Sequence, residues 1–369
     1  MKLTKKELQN IVSRIDEGIA SDDDLMIYNS WCNSNQNVAL DFSLTDIKSK
    51  MLNNINFQID QKKNLLRIWT KVSAAAVLLV CISVGLHFYS NQNQPVEVVS
   101  NMIKPGGNGA ILTLANGSQV ALTKAKNGQV ATQGQMLVNK LEDGKIVYQE
   151  SSETSGSVIE PAINTLSTPR GNKFKLILPD GTLAWLNAAS SITFPTVFRG
   201  KERHVSIIGE VYFEVAHNAA VPFRVTSGEL NIEVLGTHFN VSAYADEPFA
   251  KTTLLEGSVK IVSGKSKAII KPGEQAVTGR QGLRIIPTDV HQETAWLNGN
   301  FQFENNDITS VMRQLSRWYD VRVIYESNVP NVHYTGIVPQ RAEIVEVLNM
   351  LTKTGNTRFK VDKKEITVK

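Results

Sequence analysis

Residues 106 to 122, GGNGAILTLANGSQVAL, align without a gap on residues 170 to 186, RGNKFKLILPDGTLAWL. Each copy reads as a β-hairpin, with alternating apolar arms on either side of Asn116-Gly117 or Asp180-Gly181, and the glycine can take the positive φ that a tight turn demands. The strand pattern continues downstream in RHVSIIGEVYFEVA (203–216), PFRVTSGELNIEVLG (222–236), THFNVSAYA (237–245), AKTTLLEGSVKIVSG (250–264) and KAIIKPGEQAVTG (267–279). Short strands with glycine at the bends and no helix between them predict an all-β unit over residues 95 to 290. Both a sandwich and a wound solenoid satisfy this pattern, and periodicity does not choose between them.

From His291 onward the period changes. FQFENN is a strand, DITSVMRQLSRWY (307–319) an amphipathic helix capped by Asp307, and VRVIYE another strand; VHYTGIV, AEIVEVLNMLTKTG, TRFKVDK and EITVK then read strand, helix, strand, strand, with Gly355 closing the second helix. Two β-α-β units predict a compact α+β domain over 291 to 369. One face of its first helix carries Val311, Leu315 and Trp318, which are candidate partner-binding residues.

Upstream lies VSAAAVLLVCISVGLHFY, Val72 to Tyr89, eighteen residues without Asp, Glu, Lys or Arg. That length suffices for a helix across a hydrocarbon core, and its nine Val, Leu, Ile and Phe supply about −3 to −5 kcal/mol toward insertion. Lys62, Lys63, Arg67 and Lys71 precede the span, and no basic residue follows until Lys104. The positive-inside rule therefore predicts a single transmembrane helix over 68 to 89, with a cytoplasmic N-terminus and an exported C-terminal bulk. Residues 1 to 65 predict a small all-α segment: Leu8, Ile11, Val12 and Ile15 are helically spaced, and Ser21 before Asp22, Asp23 and Asp24 is an N-cap with an acidic first turn. Leu25 and Trp31 on its second helix are candidate anchors for a partner, because so few residues bury an apolar face poorly by themselves.

The chain of 369 residues carries a net charge of +4 spread along its length, which argues against a nucleic-acid partner. Cys32 and Cys81 both lie before residue 90, so disulfides and cysteine metal sites are excluded beyond it. The six histidines are scattered, and no HExxH, GxSxG elbow, Walker loop or helix-opening GxGxxG is present. Neither a cofactor, a metal nor an enzyme activity is expected. One local chemistry stands apart: in VLGTHF the Thr237 hydroxyl can attack the Gly236 carbonyl in an N-to-O acyl shift followed by hydrolysis, with His238 adjacent to move protons. The alternative is a glycine bend where the strand changes direction.

The ordered runs LPDGTLAWLNAASSITFP (178–195), GEVYFEV (209–215), PFRV (222–225), VLGTHFNVSAY (234–244), LLEGSVKI (254–261) and KPGEQAV (271–277) resemble FecR-type anti-sigma factors, in the Bacteroidetes-like version with a C-terminal α+β domain. The resemblance spans roughly residues 95 to 369. It implies a regulator in cell-surface signalling, seated in the inner membrane with its C-terminus in the periplasm. An outer-membrane TonB-dependent receptor would contact the periplasmic portion, and the cytoplasmic portion would hold an extracytoplasmic-function (ECF) sigma factor, with intramembrane or site-specific proteases as further partners. The C-terminal unit is similar to the short domain at the N-termini of secretins and such receptors. Some members of the family cleave themselves at the Gly-Thr bond corresponding to Gly236-Thr237. Two other readings stay open: a membrane-anchored glycan- or cell-wall-binding protein presenting Trp185, Phe194 and Phe198, and a structural piece of an envelope secretion machine.

Overall fold

The computed structural model describes residues 103–133, 136–141, 146–150, 161–327, 331–355 and 357–369, together with residues 97 and 98 and a few positions among the first 27. The expected membrane span, Leu25, Trp31 and both cysteines lie outside these residues. Among the described residues no helix is long and apolar enough to cross a membrane. The chain divides into two compact units, Met1–Asn91 and Gln92–Lys369.

In the first unit the cap expected at Ser21 is present. The Ser21 hydroxyl accepts from the Asp24 amide at 3.2 Å, and the Asp24 carboxylate accepts from the Ser21 amide at 3.0 Å, a reciprocal pair that satisfies donors the helix start leaves open. Arg14 closes on the same carboxylate at 2.7 Å.

In the second unit the two hairpin copies are structural equivalents. Gly117 and Gly181 have φ of 83° and 84°, and each donates its amide to a leucine carbonyl three residues back, Leu114 or Leu178. Asn116 Oδ1 and Asp180 Oδ1 each accept from the amide two residues on, at 2.9 and 3.1 Å. Leu112, Leu122, Leu176 and Leu186 are all fully buried, so the internal repeat is a repeat of core positions as well as of turns.

The β domain is wound from hairpins that fall alternately in two ladders, joined into one closed circuit of strands. Phe223–Ser227 with Leu230–Val234 lies in one sheet, His238–Ala243 with Ala250–Glu256 in the other, Val259–Ser263 with Ser266–Ile270 in the first again, and Glu274–Gly279 with Gly282–Pro287 in the second. Each hairpin extends the sheet of the one before last, as Leu230–Val234 pairs with Val259–Ser263 and Ala250–Glu256 with Glu274–Gly279. The long strand Arg203–Glu214 serves both sheets, pairing with Ser190–Pro195 through its first half and with Leu183–Leu186 and His238–Ala243 through its second, and the ladder closes on itself. The switch falls at Gly209, φ 84°, where a Cβ would lie 2.8 Å from the Ala189 carbonyl oxygen. Between the sheets Phe194, Phe213, Phe223 and Phe239 are buried, Phe213 stacking on Phe239 with centroids 5.3 Å apart.

The C-terminal part follows the expected order. Asn300–Asp307 pairs antiparallel with His333–Pro339, while Arg322–Tyr325, Glu365–Val368 and Phe359–Asp362 form a second sheet. The helices Ile308–Tyr319 and Ile344–Gly355 bury Val311, Met312, Leu315, Val347, Leu348 and Leu351 into one core with Phe301, Phe303, Val361 and Ile366. Asp307 caps the first helix, accepting from the Ser310 amide at 2.9 Å. The apolar stripe of that helix is therefore spent inward: Val311 and Leu315 are fully buried and Trp318 is 5% exposed, its indole donating to the Gln340 carbonyl at 2.8 Å. This corrects the expectation that these three residues form a surface for a partner. An amphipathic helix announces that one face is covered, and here its own domain covers it.

Candidate functional site

The corner Asn187–Ser190 and the short helix Ile308–Tyr319 meet at a seam where the β domain and the C-terminal part share side chains. Ala188 belongs to the apolar core of the C-terminal part, as does Ile103 at the start of the β domain. Arg170 donates to the Ser316 and Val321 carbonyls at 2.6 and 2.9 Å, and the Gly171 amide to the Arg317 carbonyl at 2.8 Å. Helix C-terminal carbonyls lack intrahelical donors, and the β domain supplies them. Gly106 lies so close beneath Trp318 that a Cβ would meet its ring at 2.7 Å.

The centre of the seam is charged. Arg317, 6% exposed, donates to both Asp246 oxygens at 3.0 Å and to Glu247 at 2.8 Å, and its guanidinium lies over the Tyr244 ring at 4.0 Å. Arg313, one turn earlier, reaches Glu247 at 2.9 Å. Tyr244 is buried and donates to the Ala188 carbonyl at 2.8 Å; its phenol is raised far above its ordinary value by burial and by the charge of Glu210. Beside it, Glu210 accepts from Asn187 Nδ2 at 2.7 Å and from Asn240 Nδ2 at 3.0 Å, lining a crevice of about 240 Å³ that Trp296, Phe301 and Lys251 also border. The conspicuous motifs LNAASS and GEVYFEV are thus the two halves of one joint.

Burial pushes the Glu210 carboxyl above the usual range, against the two amide hydrogen bonds and the Arg317 charge that favour its ionised form. A folded value raised above the unfolded one means the native state binds more protons in the window between them. Stability accordingly falls as pH rises from the ordinary glutamate range through the raised value, then levels off. Glu210→Gln should remove this dependence, giving a flatter curve of thermal midpoint as pH rises from the ordinary glutamate value of 4.5. A variant with the wild-type slope would show that Glu210 titrates normally.

Gly236 and Thr237 lie at the other end of this sheet, before the strand His238–Ala243. Thr237 is 3% exposed, its hydroxyl donating to the Ser258 carbonyl at 3.2 Å and its own carbonyl accepting from the Val215 amide at 3.1 Å. Gly236 does not have the positive φ that would mark a strained bend. Glycine is required there for a different reason: a Cβ would fall 2.6 Å from His217 Nδ1 and 2.8 Å from His217 Cα. The histidine that packs on the Gly236-Thr237 bond is therefore His217, which sequence adjacency could not reveal. His238 instead faces Glu256 at 3.2 Å.

Asp180 is a turn residue, bound at 2.8 Å to the buried Arg203, which also donates to the Ala216 and Val221 carbonyls. The aromatic residues considered for glycan binding do not make an open platform. Phe194 is buried, Lys175 lies 4.0 Å over the Trp185 ring, and Phe198 packs edge-on against Phe223 at 6.2 Å. Among the described residues no three His, Cys, Asp or Glu side chains group as metal ligands.

The family model described as FecR protein matches residues 164–260, and that described as FecR, C-terminal matches residues 300–368. The chain is similar to two crystal structures, at 1.65 and 2.50 Å resolution, of a candidate anti-sigma factor from Parabacteroides distasonis. In each case the identity is 28%, the match covers 56% of this chain and 98% of the other, and the TM-score is 0.53. No curated protein matches the chain.

Proposed function

We infer, for a chain that belongs to the FecR family, that it is an anti-sigma factor and signal transducer: residues 1 to 65 hold an ECF sigma factor in the cytoplasm, and the segment from residue 95 onward receives the signal in the periplasm. The observation that carries this reading is the juxtaposition of both FecR regions in one folded body, joined by the seam at Arg317. The span at 68 to 89, with Lys62, Lys63, Arg67 and Lys71 at its N-terminal end and no basic residue after it until Lys104, supports a single-pass inner-membrane anchor with the N-terminus inside. The α+β part supports an outer-membrane TonB-dependent receptor as the periplasmic partner, because strand edges of such a domain accept an added strand. Cleavage at Gly236-Thr237, and proteases acting near the membrane, belong to the same reading as ways of releasing the cytoplasmic piece.

Copurification tests the inner half. The full chain should carry the sigma factor with it, and Trp31→Ala or Leu25→Asp should weaken that capture, each removing an apolar anchor of the kind worth about 2 kcal/mol or more. Undiminished capture by both variants would remove the anchors from those positions. The outer half is tested by deleting residues 300–369, which should abolish the transcriptional response to the receptor's substrate while sigma capture persists. A deletion that still responds would place the receptor contact in the β domain.

A further inference from the structure

The crevice at the seam is built from both parts of the folded body: Ser242, Pro248 and Lys251 border it from the β domain, and Phe301, Gln302 and Gln314 from the C-terminal part. The charged groups on its walls are all engaged within the protein. Arg313 and Arg317 hold Glu247, Lys251 holds Glu293 at 3.3 Å, Asp307 caps its helix, and Glu210 accepts from Asn187 and Asn240. The carboxamides are spent differently. Gln292, Asn300, Gln302 and Gln314 are half-buried around the crevice, and among the described residues none of their side chains has a hydrogen-bond partner. Trp296, which also borders it and is 7% exposed, buries an indole nitrogen that has no acceptor either. Buried polar side chains are nearly always satisfied, because a desolvated donor without an acceptor is costly. Such groups gathered around one crevice call for partners from outside the chain.

We propose that this crevice is a binding site for a neutral sugar ring. A carboxamide presents a donor and an acceptor side by side, and a hydroxyl is both at once, so a cluster of carboxamides matches a ligand that carries several hydroxyls. The indole N–H of Trp296 adds one more donor for a ring or hydroxyl oxygen. Because every charge on the walls already has its partner, a charged ligand would enter without a counter-charge, and a neutral one pays no such penalty. The volume of about 240 Å³ lies below the roughly 300 to 1,000 Å³ of pockets that bury drug-sized molecules, and it suits a single ring. Phe301 and Phe249, the latter 37% exposed, border the crevice and offer apolar surface to the C–H face of such a ring. A sugar held there touches both parts of the folded body, so its binding tightens the joint at Arg317 by mass action. The crevice is distinct from the strand edges assigned to the receptor, and it gives the periplasmic body a second, small-molecule input.

The test titrates the full chain with glucose, galactose, mannose, xylose and N-acetylglucosamine, in an amine-oxide detergent so that no sugar headgroup competes. Calorimetry and the thermal midpoint are read together. At least one of these sugars should bind saturably and raise the midpoint with concentration. The uronate and 2-amino forms of that sugar should bind roughly tenfold more weakly, for want of a counter-charge. Gln302→Ala/Gln314→Ala removes two carboxamides that bond to nothing in the protein, so the midpoint without sugar should stay at the wild-type value while affinity falls about tenfold. Trp296→Phe keeps an aromatic ring, loses the N–H and should weaken binding about fivefold. The proposal is overturned if none of the sugars binds, if the charged forms bind equally well, or if the double variant keeps wild-type affinity. Tighter binding of N-acetylglycinamide, whose amide offers the same donor and acceptor without hydroxyls, would also overturn it. Neither receptor nor sigma factor enters this measurement, so its failure is distinguishable from failure of the signalling assays.

Discussion

Replacing Arg317 by Ala should lower the stability of the C-terminal part by about 3 kcal/mol, the low end of the cost of removing one partner from a buried ion pair. The low end applies because the partners are unequally placed: Glu247 is 17% exposed and keeps Arg313, whereas Asp246 is 50% exposed and well solvated. The guanidinium also covers the Tyr244 ring, and its stem fills the seam, so Arg317→Met should recover part of the loss by keeping the apolar contact. Amide exchange in the full chain reads the effect by region, with protection falling over residues 300–368 more than over the β strands. Arg224→Ala is the control. Arg224 is 37% exposed, its pairs with Glu202 and Glu233 are at the surface, and its loss should cost less than 1 kcal/mol. Equal effects at the two arginines would mean that the seam is no stronger than a surface contact.

The second large effect concerns Gly236 and Thr237, where the outcome is read as bands on a denaturing gel. If the bond cleaves itself, the purified chain resolves into two fragments on incubation without protease. Thr237→Ala then leaves one full-length band and Thr237→Ser still gives two, since the acyl shift needs a hydroxyl at that position. The pairings of Arg203–Glu214 with His238–Ala243 and of Leu230–Val234 with Val259–Ser263 cross the cut and would keep the fragments together before denaturation. Gly236→Ala behaves differently from both: the added carbon meets the backbone and ring of His217, so this variant should lose folding stability by the 1 to 3 kcal/mol typical of an overpacked site, whether or not the bond cleaves. His217→Ala separates the roles: it removes the ring contact but leaves Cα at 2.8 Å, so it should recover only a small part of the Gly236→Ala loss, and it should slow cleavage in the Gly236 chain if its imidazole moves the proton. A wild-type chain that stays a single band after long incubation would reduce Gly236-Thr237 to a packing site.

Short-range chemistry made much of this protein legible in advance. The turns at Asn116-Gly117 and Asp180-Gly181, the caps at Ser21 and Asp307, the helix end at Gly355 and the alternation of strands are all decided within a few residues, where backbone sterics and local hydrogen bonds act. The motifs that pointed to the family were equally visible, but not why those residues stand there. Asn187 meets Glu210, and Ser190 approaches Gly209, because one strand serves two sheets and must turn between them. The stripe Val311, Leu315 and Trp318 illustrates the limit from the other side: periodicity says a face is covered and is silent about what covers it. His217 beside Gly236, Arg317 on Asp246 and Glu247, and Glu97 beside Lys360 join positions about 20, 70 and more than 250 residues apart. No local rule reaches that far. Only the closed circuit of strands and the C-terminal part packed on its corner bring these groups together, and the charged joint at Arg317 is where that long-range packing is most evident.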